Sequence, residues 1–151
     1  MTGRRTRGTA WTAAAVVVAV CCLGLTGCAA DATSRVREFL ASEREPDDAL
    51  PPSVNSEGGI DADSSRLAGS LGGTTYYLAD FVNPDTGVPG ICLILVAADT
   101  EFSNSACGNA PGLATVGSET GGATIVEASD SVSADWTRLT DFLIVNPDAR
   151  P

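Results

Sequence analysis

Ile91 to Cys107, ICLILVAADTEFSNSAC, is the stretch whose reading decides the fold. Folded back about Asp99-Thr100, it sets Ala98 opposite Glu101, Val96 opposite Ser103, Ile94 opposite Ser105 and Cys92 opposite Cys107. Directly opposed residues of an antiparallel pair sit close enough for a sulfur bridge, so an apolar strand, a turn and a Cys92–Cys107 disulfide are expected as one hairpin. Asp-Thr is an untypical two-residue turn, and a four-residue loop keeps the same register. Leu93, Leu95 and Ala97 alternate with Cys92, Ile94 and Val96, and both sets are apolar. Such a strand belongs in the middle of a sheet with both faces covered. Bridging a loop of about 15 residues stabilises by roughly 3 kcal/mol on chain-entropy grounds, an upper value for so local a closure.

The same grammar of short apolar runs between glycine-rich turns extends from Arg66 to Val145. Strands are expected at Arg66–Leu71, Thr74–Phe81, Gly90–Ala97, Glu101–Cys107, Leu113–Gly117, Ala123–Ala128 and Thr137–Val145. Gly72-Gly73 reads as a two-residue hairpin turn, and Asn83-Pro84-Asp85-Thr86-Gly87 as a longer loop. Upstream, Val36, Phe39 and Leu40 recur at helical spacing with Arg35, Arg37 and Glu38 opposite, which predicts a short amphipathic helix ending before Pro46. An isolated helix of this length is unstable in water, so it should dock, either on the sheet or on lipid headgroups. Between them, Glu45 to Ser64 is rich in Pro, Gly, Asp and Ser and reads as a linker or wrapping loop. The expected class is α+β, mainly β: a curved antiparallel sheet or open barrel of about five to seven short strands with one N-terminal helix.

The first residues are of a different kind. Arg4, Arg5 and Arg7 precede an apolar run from Ala13 to Leu25 that is too short to span a bilayer comfortably, the pattern of a secretory signal. The run ends in Leu25-Thr26-Gly27-Cys28. This resembles the lipobox of bacterial lipoprotein precursors, in which an aliphatic residue and two small ones precede the cysteine that is lipidated and then becomes the first residue. The resemblance implies a signal peptide at 1–27, a diacylglyceryl anchor (palmitate or a similar acyl chain) on Cys28, and a place on the outer, extracytoplasmic face of the cell membrane. Two acyl chains anchor stably where one is marginal. The division then runs: lipidated tether 28–33, helix 34–44, linker 45–64, β domain 65–147 and tail 148–151. Further on, Tyr76-Tyr77-Leu78-Ala79, Gly90 to Val96 and Ala106-Cys107-Gly108 resemble small exported domains of an uncharacterised family, which implies a location and no mechanism.

Cysteine usage fits export. With Cys21 and Cys22 in the signal and Cys28 lipidated, Cys92 and Cys107 are the one pair left for a structural disulfide. The net charge is -10 for the whole chain and -13 without the three arginines of the signal. Nucleic acid, whose binding is dominated by cations on phosphate, is therefore excluded as a partner.

Composition also closes most hydrolase mechanisms. The chain holds no histidine and no lysine, which removes Ser-His and Cys-His pairs, His-ligated zinc, Schiff bases and Ser-Lys dyads. Bridged cysteines are not nucleophiles, and their spacing is unlike Cys-x-x-Cys. Glu101, Glu119, Glu127, Asp130, Asp135 and Asp141 remain as an acid and base for glycoside cleavage, although an acidic surface contains such residues anyway. Asp61 and Asp63 begin like a calcium loop but lack its glycine turn and distant glutamate, so neither metal nor cofactor is expected; an oxygen-ligand calcium site at Asp61/Asp63 or Asn83/Asp85 is a third reading. For recognition the candidates are Trp136, entering the last strand, and the Tyr76-Tyr77 pair, of which alternation predicts one buried and one exposed. Trp136 reads either as a lid on the core edge or as a platform for a partner. The function expected is a membrane-anchored extracytoplasmic lipoprotein with a non-catalytic binding or scaffolding domain, its partner an envelope protein or the cell wall. The alternative is a carboxylate-based hydrolase of cell-wall glycan.

Overall fold

A computed structural model of the protein describes residues 31–54, 58–99 and 102–151. The signal segment, the lipobox with Cys28, and Thr100-Glu101 lie outside the described residues. In chain order the elements are α1 (Ala32–Leu40), β1 (Arg66–Leu71), β2 (Thr74–Val82), β3 (Pro89–Ala97), β4 (Ser103–Gly108), β5 (Ala114–Gly117), β6 (Gly121–Ile125), β7 (Thr137–Arg138) and β8 (Leu143–Asn146).

These strands form two four-stranded antiparallel sheets, ordered β1-β2-β3-β4 and β5-β6-β8-β7. The expectation of a single curved sheet or an open barrel is corrected. The two sheets do not close on each other, and no ladder joins β4 to β5 among the described residues. Between those strands runs Asn109-Ala110-Pro111-Gly112, and Pro111 has no N–H with which to continue a ladder. Eight strands replace the five to seven expected. The extra one comes from Thr137–Val145, read as a single strand and in fact a small hairpin. Its turn is held by Leu139 N–H to Leu143 O at 2.9 Å and by Arg138 Nη1 to Asp141 O at 3.0 Å.

The first sheet follows the sequence closely. β3 and β4 pair Cys92 with Cys107, Ile94 with Ser105 and Val96 with Ser103, and the disulfide joins Cys92 to Cys107 across a Cα separation of 4.1 Å. Because Ala97 N–H donates to Phe102 O, alternation makes Cys92/Cys107 a non-hydrogen-bonded pair, where opposed side chains come nearest. Gly72 and Gly73 turn β1 into β2 with φ of 61° and 84°, the positive values that a tight hairpin turn requires at both central residues.

One core lies between the sheets. Tyr76, Leu78, Ile91, Leu93 and Leu95 of the first sheet meet Ala123, Ile125, Leu143 and Val145 of the second, with Ala32, Val36 and Leu40 of α1 and with Phe142. The helix therefore docks on the protein. The ring centroids of Phe39 and Phe142 lie 5.4 Å apart, and the fully buried Val36 of the helix is worth about 1.5–3 kcal/mol. Asp31 caps α1 by accepting from Ser34 N–H at 2.8 Å, and Glu127 Oε2 accepts from Ala32 N–H at 2.9 Å. Both acids sit where the helix dipole favours negative charge.

A second cluster covers the other face of the first sheet. Tyr77, Ala79, Cys92, Ile94 and Val96 are packed by Leu67 and Phe81 and by Leu50, Val54 and Ile60. The last three belong to the Pro- and acid-rich segment, which forms short 3₁₀ turns at Pro46–Asp48 and Ala62–Ser64 and bridges Ile60 to Phe81. Tyr76 and Tyr77 do point to opposite faces, but both are buried, at 0 % and 8 % exposure. The expected exposed tyrosine is thereby corrected: this segment covers the face that would have been open.

Candidate functional site

Three of the concave places on the described surface bear on the residues singled out above. The first lies on the outer face of the second sheet. Alternation along β6 turns Ala123 into the core and Gly122 outward, directly beneath Trp136 and Ala149. A Cβ at 122 would stand 3.0 Å from Ala149 Cβ and 3.3 Å from Trp136 Cη2, so the absence of a side chain here lets the indole and the tail lie on the backbone. The groove, about 400 Å³, is lined by Ala114, Thr115, Val116, Ala123, Trp136, Ala149 and Arg150. Trp136 is half-buried: the end of its indole lies over Gly122, and its remaining surface forms one wall of the groove.

The tail that completes this groove is shaped by its own hydrogen bonds. Ala149 N–H donates to Asn146 O at 3.2 Å and Asp148 N–H to Asn146 Oδ1 at 2.9 Å, which folds residues 146–149 back over β6. Arg150 Nη1 then donates to Pro147 O at 3.1 Å and Ala149 O at 2.7 Å. Set apart as a tail by the sequence division, 148–151 is part of the folded body, and Arg150 is not among the residues that the sequence singles out. No local signal could have placed it, since its position depends on a glycine 28 residues upstream.

The second place is acidic. A pocket of about 280 Å³ between the end of α1 and β1 is lined by Phe39, Ser42, Glu43, Glu45, Asp47, Asp48, Arg66 and Leu67. Asp48 is its buried member. Burial raises its pKa, but N–H donation from Leu67 and Glu45, each at 2.7 Å, together with the Arg66 and Arg44 charges, holds the carboxyl below its ordinary value. Arg66, also buried, spends its guanidinium on Ser42 O, Ser64 O and Ser65 O, with Nε 3.9 Å from Asp48 Oδ2. Every polar group of this pair is engaged in fastening the residues after α1 and the 3₁₀ turns to β1. Glu45 is likewise occupied, its side chain accepting the Asp48 N–H. The third place, about 280 Å³ between β4 and β5, has Phe102, Val116, Asn104 and Glu119 at its walls.

The remaining residues singled out from the sequence do not converge. Burial raises the pKa of Tyr76, eased by the Thr74 side chain, and raises that of Tyr77, where the Asp47 and Asp48 charges add to the effect. Both tyrosines are core. Of the acids considered for glycoside cleavage, Glu127 caps α1, Asp130 accepts the Glu127 N–H at 3.0 Å and Asp141 pairs with Arg35 at 2.9 Å. Glu119 and Asp135 are exposed, and Glu101 lies outside the described residues. Asp61 Oδ1 accepts from Asp63 N–H and Asn83 Oδ1 from Asp85 and Thr86 N–H, which uses these oxygens as turn acceptors. Among the described residues no three His, Cys, Asp or Glu side chains gather as metal ligands, and no helix is long and apolar enough to cross a membrane.

No family model matches the chain, and neither a curated protein nor a solved structure matches it.

Proposed function

We propose that the chain is the precursor of an extracytoplasmic lipoprotein, anchored by lipid on Cys28, whose folded part is a non-catalytic binding or scaffolding module. The observation that carries this reading is the order of features in residues 1–28: arginines without acid, a short apolar run, two small residues and a cysteine. The disulfide supports it, because such bridges persist in oxidising compartments. Mass spectrometry of membrane fractions tests it. The expected species begins at a diacylglyceryl-modified Cys28, and Cys28→Ala should abolish both the added mass and the cleavage. A membrane-bound chain that still begins at Met1 would overturn the reading.

One observation favours a second function, hydrolysis of cell-wall glycan: four carboxylates, of Glu43, Glu45, Asp47 and Asp48, line a single pocket. Against it stands the chemistry of Asp48. A glycosidase needs one carboxyl kept protonated near neutral pH, and the surroundings of Asp48 hold it ionised. Release of reducing sugar from purified peptidoglycan, lost in Glu43→Gln, would revive this function.

A further inference from the structure

The groove of Trp136 brings together three features that point to one ligand chemistry. Its floor and walls are apolar: Ala114, Val116, Ala149 and the indole. Its volume of about 400 Å³ lies within the range of small-molecule sites, roughly 300–1,000 Å³. At its rim stands a cation of unusual status for this molecule.

Among the described residues the ion pairs engage Arg35, Arg37, Arg44 and Arg66, and Arg138 gives its guanidinium to Asp141 O and Asp130 O. Among these residues Arg150 alone of the arginines has no carboxylate or loop partner outside its own tail. Its Nη1 is fixed by Pro147 O and Ala149 O, while its Nη2 and Nε make no hydrogen bond among the described residues. Two donors of a guanidinium steadied in this way present the fork that a carboxylate accepts. Asp135 and Asp148 flank the groove in sequence but do not line it.

From this juxtaposition we infer that the groove binds a small apolar carboxylic acid, its hydrocarbon or aryl body against Trp136 and Val116 and its carboxylate on Arg150. The inference deepens the binding reading above by naming a ligand class. It does not depend on lipidation, so the mass of the anchored chain and the occupancy of the groove can fail separately.

The chain has two tryptophans, Trp11 and Trp136, so the full chain carrying Trp11→Phe reports the groove alone by fluorescence. Cyclohexanecarboxylate, which does not absorb in the measuring range, is titrated against its neutral counterpart cyclohexanemethanol. A saturable blue shift of Trp136 emission is expected with the acid, at an affinity about tenfold above the alcohol, the factor one charge-assisted hydrogen bond supplies. Arg150→Gln, an exposed position where folding is not at risk, should erase that difference and leave weak, equal binding of both probes. An emission spectrum unmoved by the acid up to about 10 mM, where a fragment-sized ligand should bind, overturns the inference. So does equal titration by acid and alcohol in the parent chain.

Discussion

The two sheets were made from similar residues and came out differently. In the first, β2 and β3 run nine residues each, both faces are covered, and a disulfide ties β3 to the edge strand β4. In the second, the strands have two to five residues, one face meets the core, and the other is left to Trp136, the tail and solvent. The difference shows where stability and where adaptability reside. A sheet packed on both sides has little freedom to change, whereas a face covered only in part, by Trp136 and the tail, leaves room beside Ala114 and Val116 for something else.

The comparison breaks first at the core of the long sheet. Leu93→Ala, at a fully buried position between helix and second sheet, should cost about 3–5 kcal/mol in urea unfolding. A loss under about 1 kcal/mol would mean that the first sheet is not the stabilising one. Asp48→Ala should follow, at about 3 kcal/mol, because it strands the buried Arg66 charge and the Leu67 N–H.

That carboxyl also sets a pH dependence. Its folded pKa is below the ordinary 3.8, so the stability it contributes is complete above that value and is lost as pH falls through the folded one. Asp48→Asn should flatten the acid limb of a melting-temperature profile, and an unchanged limb would place the acid sensitivity elsewhere. Removing the disulfide by Cys92→Ala with Cys107→Ala should cost about 2 kcal/mol, less than the roughly 3 kcal/mol of a free loop because the hairpin is already paired. Last comes Trp136→Ala on the second sheet, expected to change stability by about 1 kcal/mol or less while opening the groove. A cost matching that of Leu93→Ala would make Trp136 a core residue and remove the contrast.

How much of this was legible follows the same division. Two cysteines at opposed positions fixed the β3–β4 register, and Gly72-Gly73 fixed β1–β2 as far as Gly69, beyond which an irregularity at Ala68 shifts the pairing. In Thr137–Val145 the turn is built from Leu139 to Phe142 without Gly or Pro, with Phe142 N–H held by Thr140 Oγ1 at 3.3 Å, so an unbroken strand was read through it. Alternation correctly sent Tyr76 and Tyr77 to opposite faces, yet could not foresee that Leu50, Val54 and Ile60 would return to cover the second one. The groove was half legible: Trp136 stood out at the sheet edge, while Gly122, Ala149 and Arg150 meet it only through tertiary folding.

The cap on α1 at Asp31 has a consequence for how the protein stands. Should Cys28 carry lipid as proposed, the slack between membrane and folded body is three residues, about 10 Å at full stretch. Thr33 bonds Ala110 O, Ala32 bonds Glu127 and Arg35 bonds Asp141, so the loops after β4, β6 and β7 form the foot nearest the lipid. Strand polarity then lifts Gly122, Trp136 and Arg150 to the opposite pole, where β6 begins and β8 ends. On that reading, so short a tether would bring those loops, rather than the mouth of the groove, within reach of the headgroups.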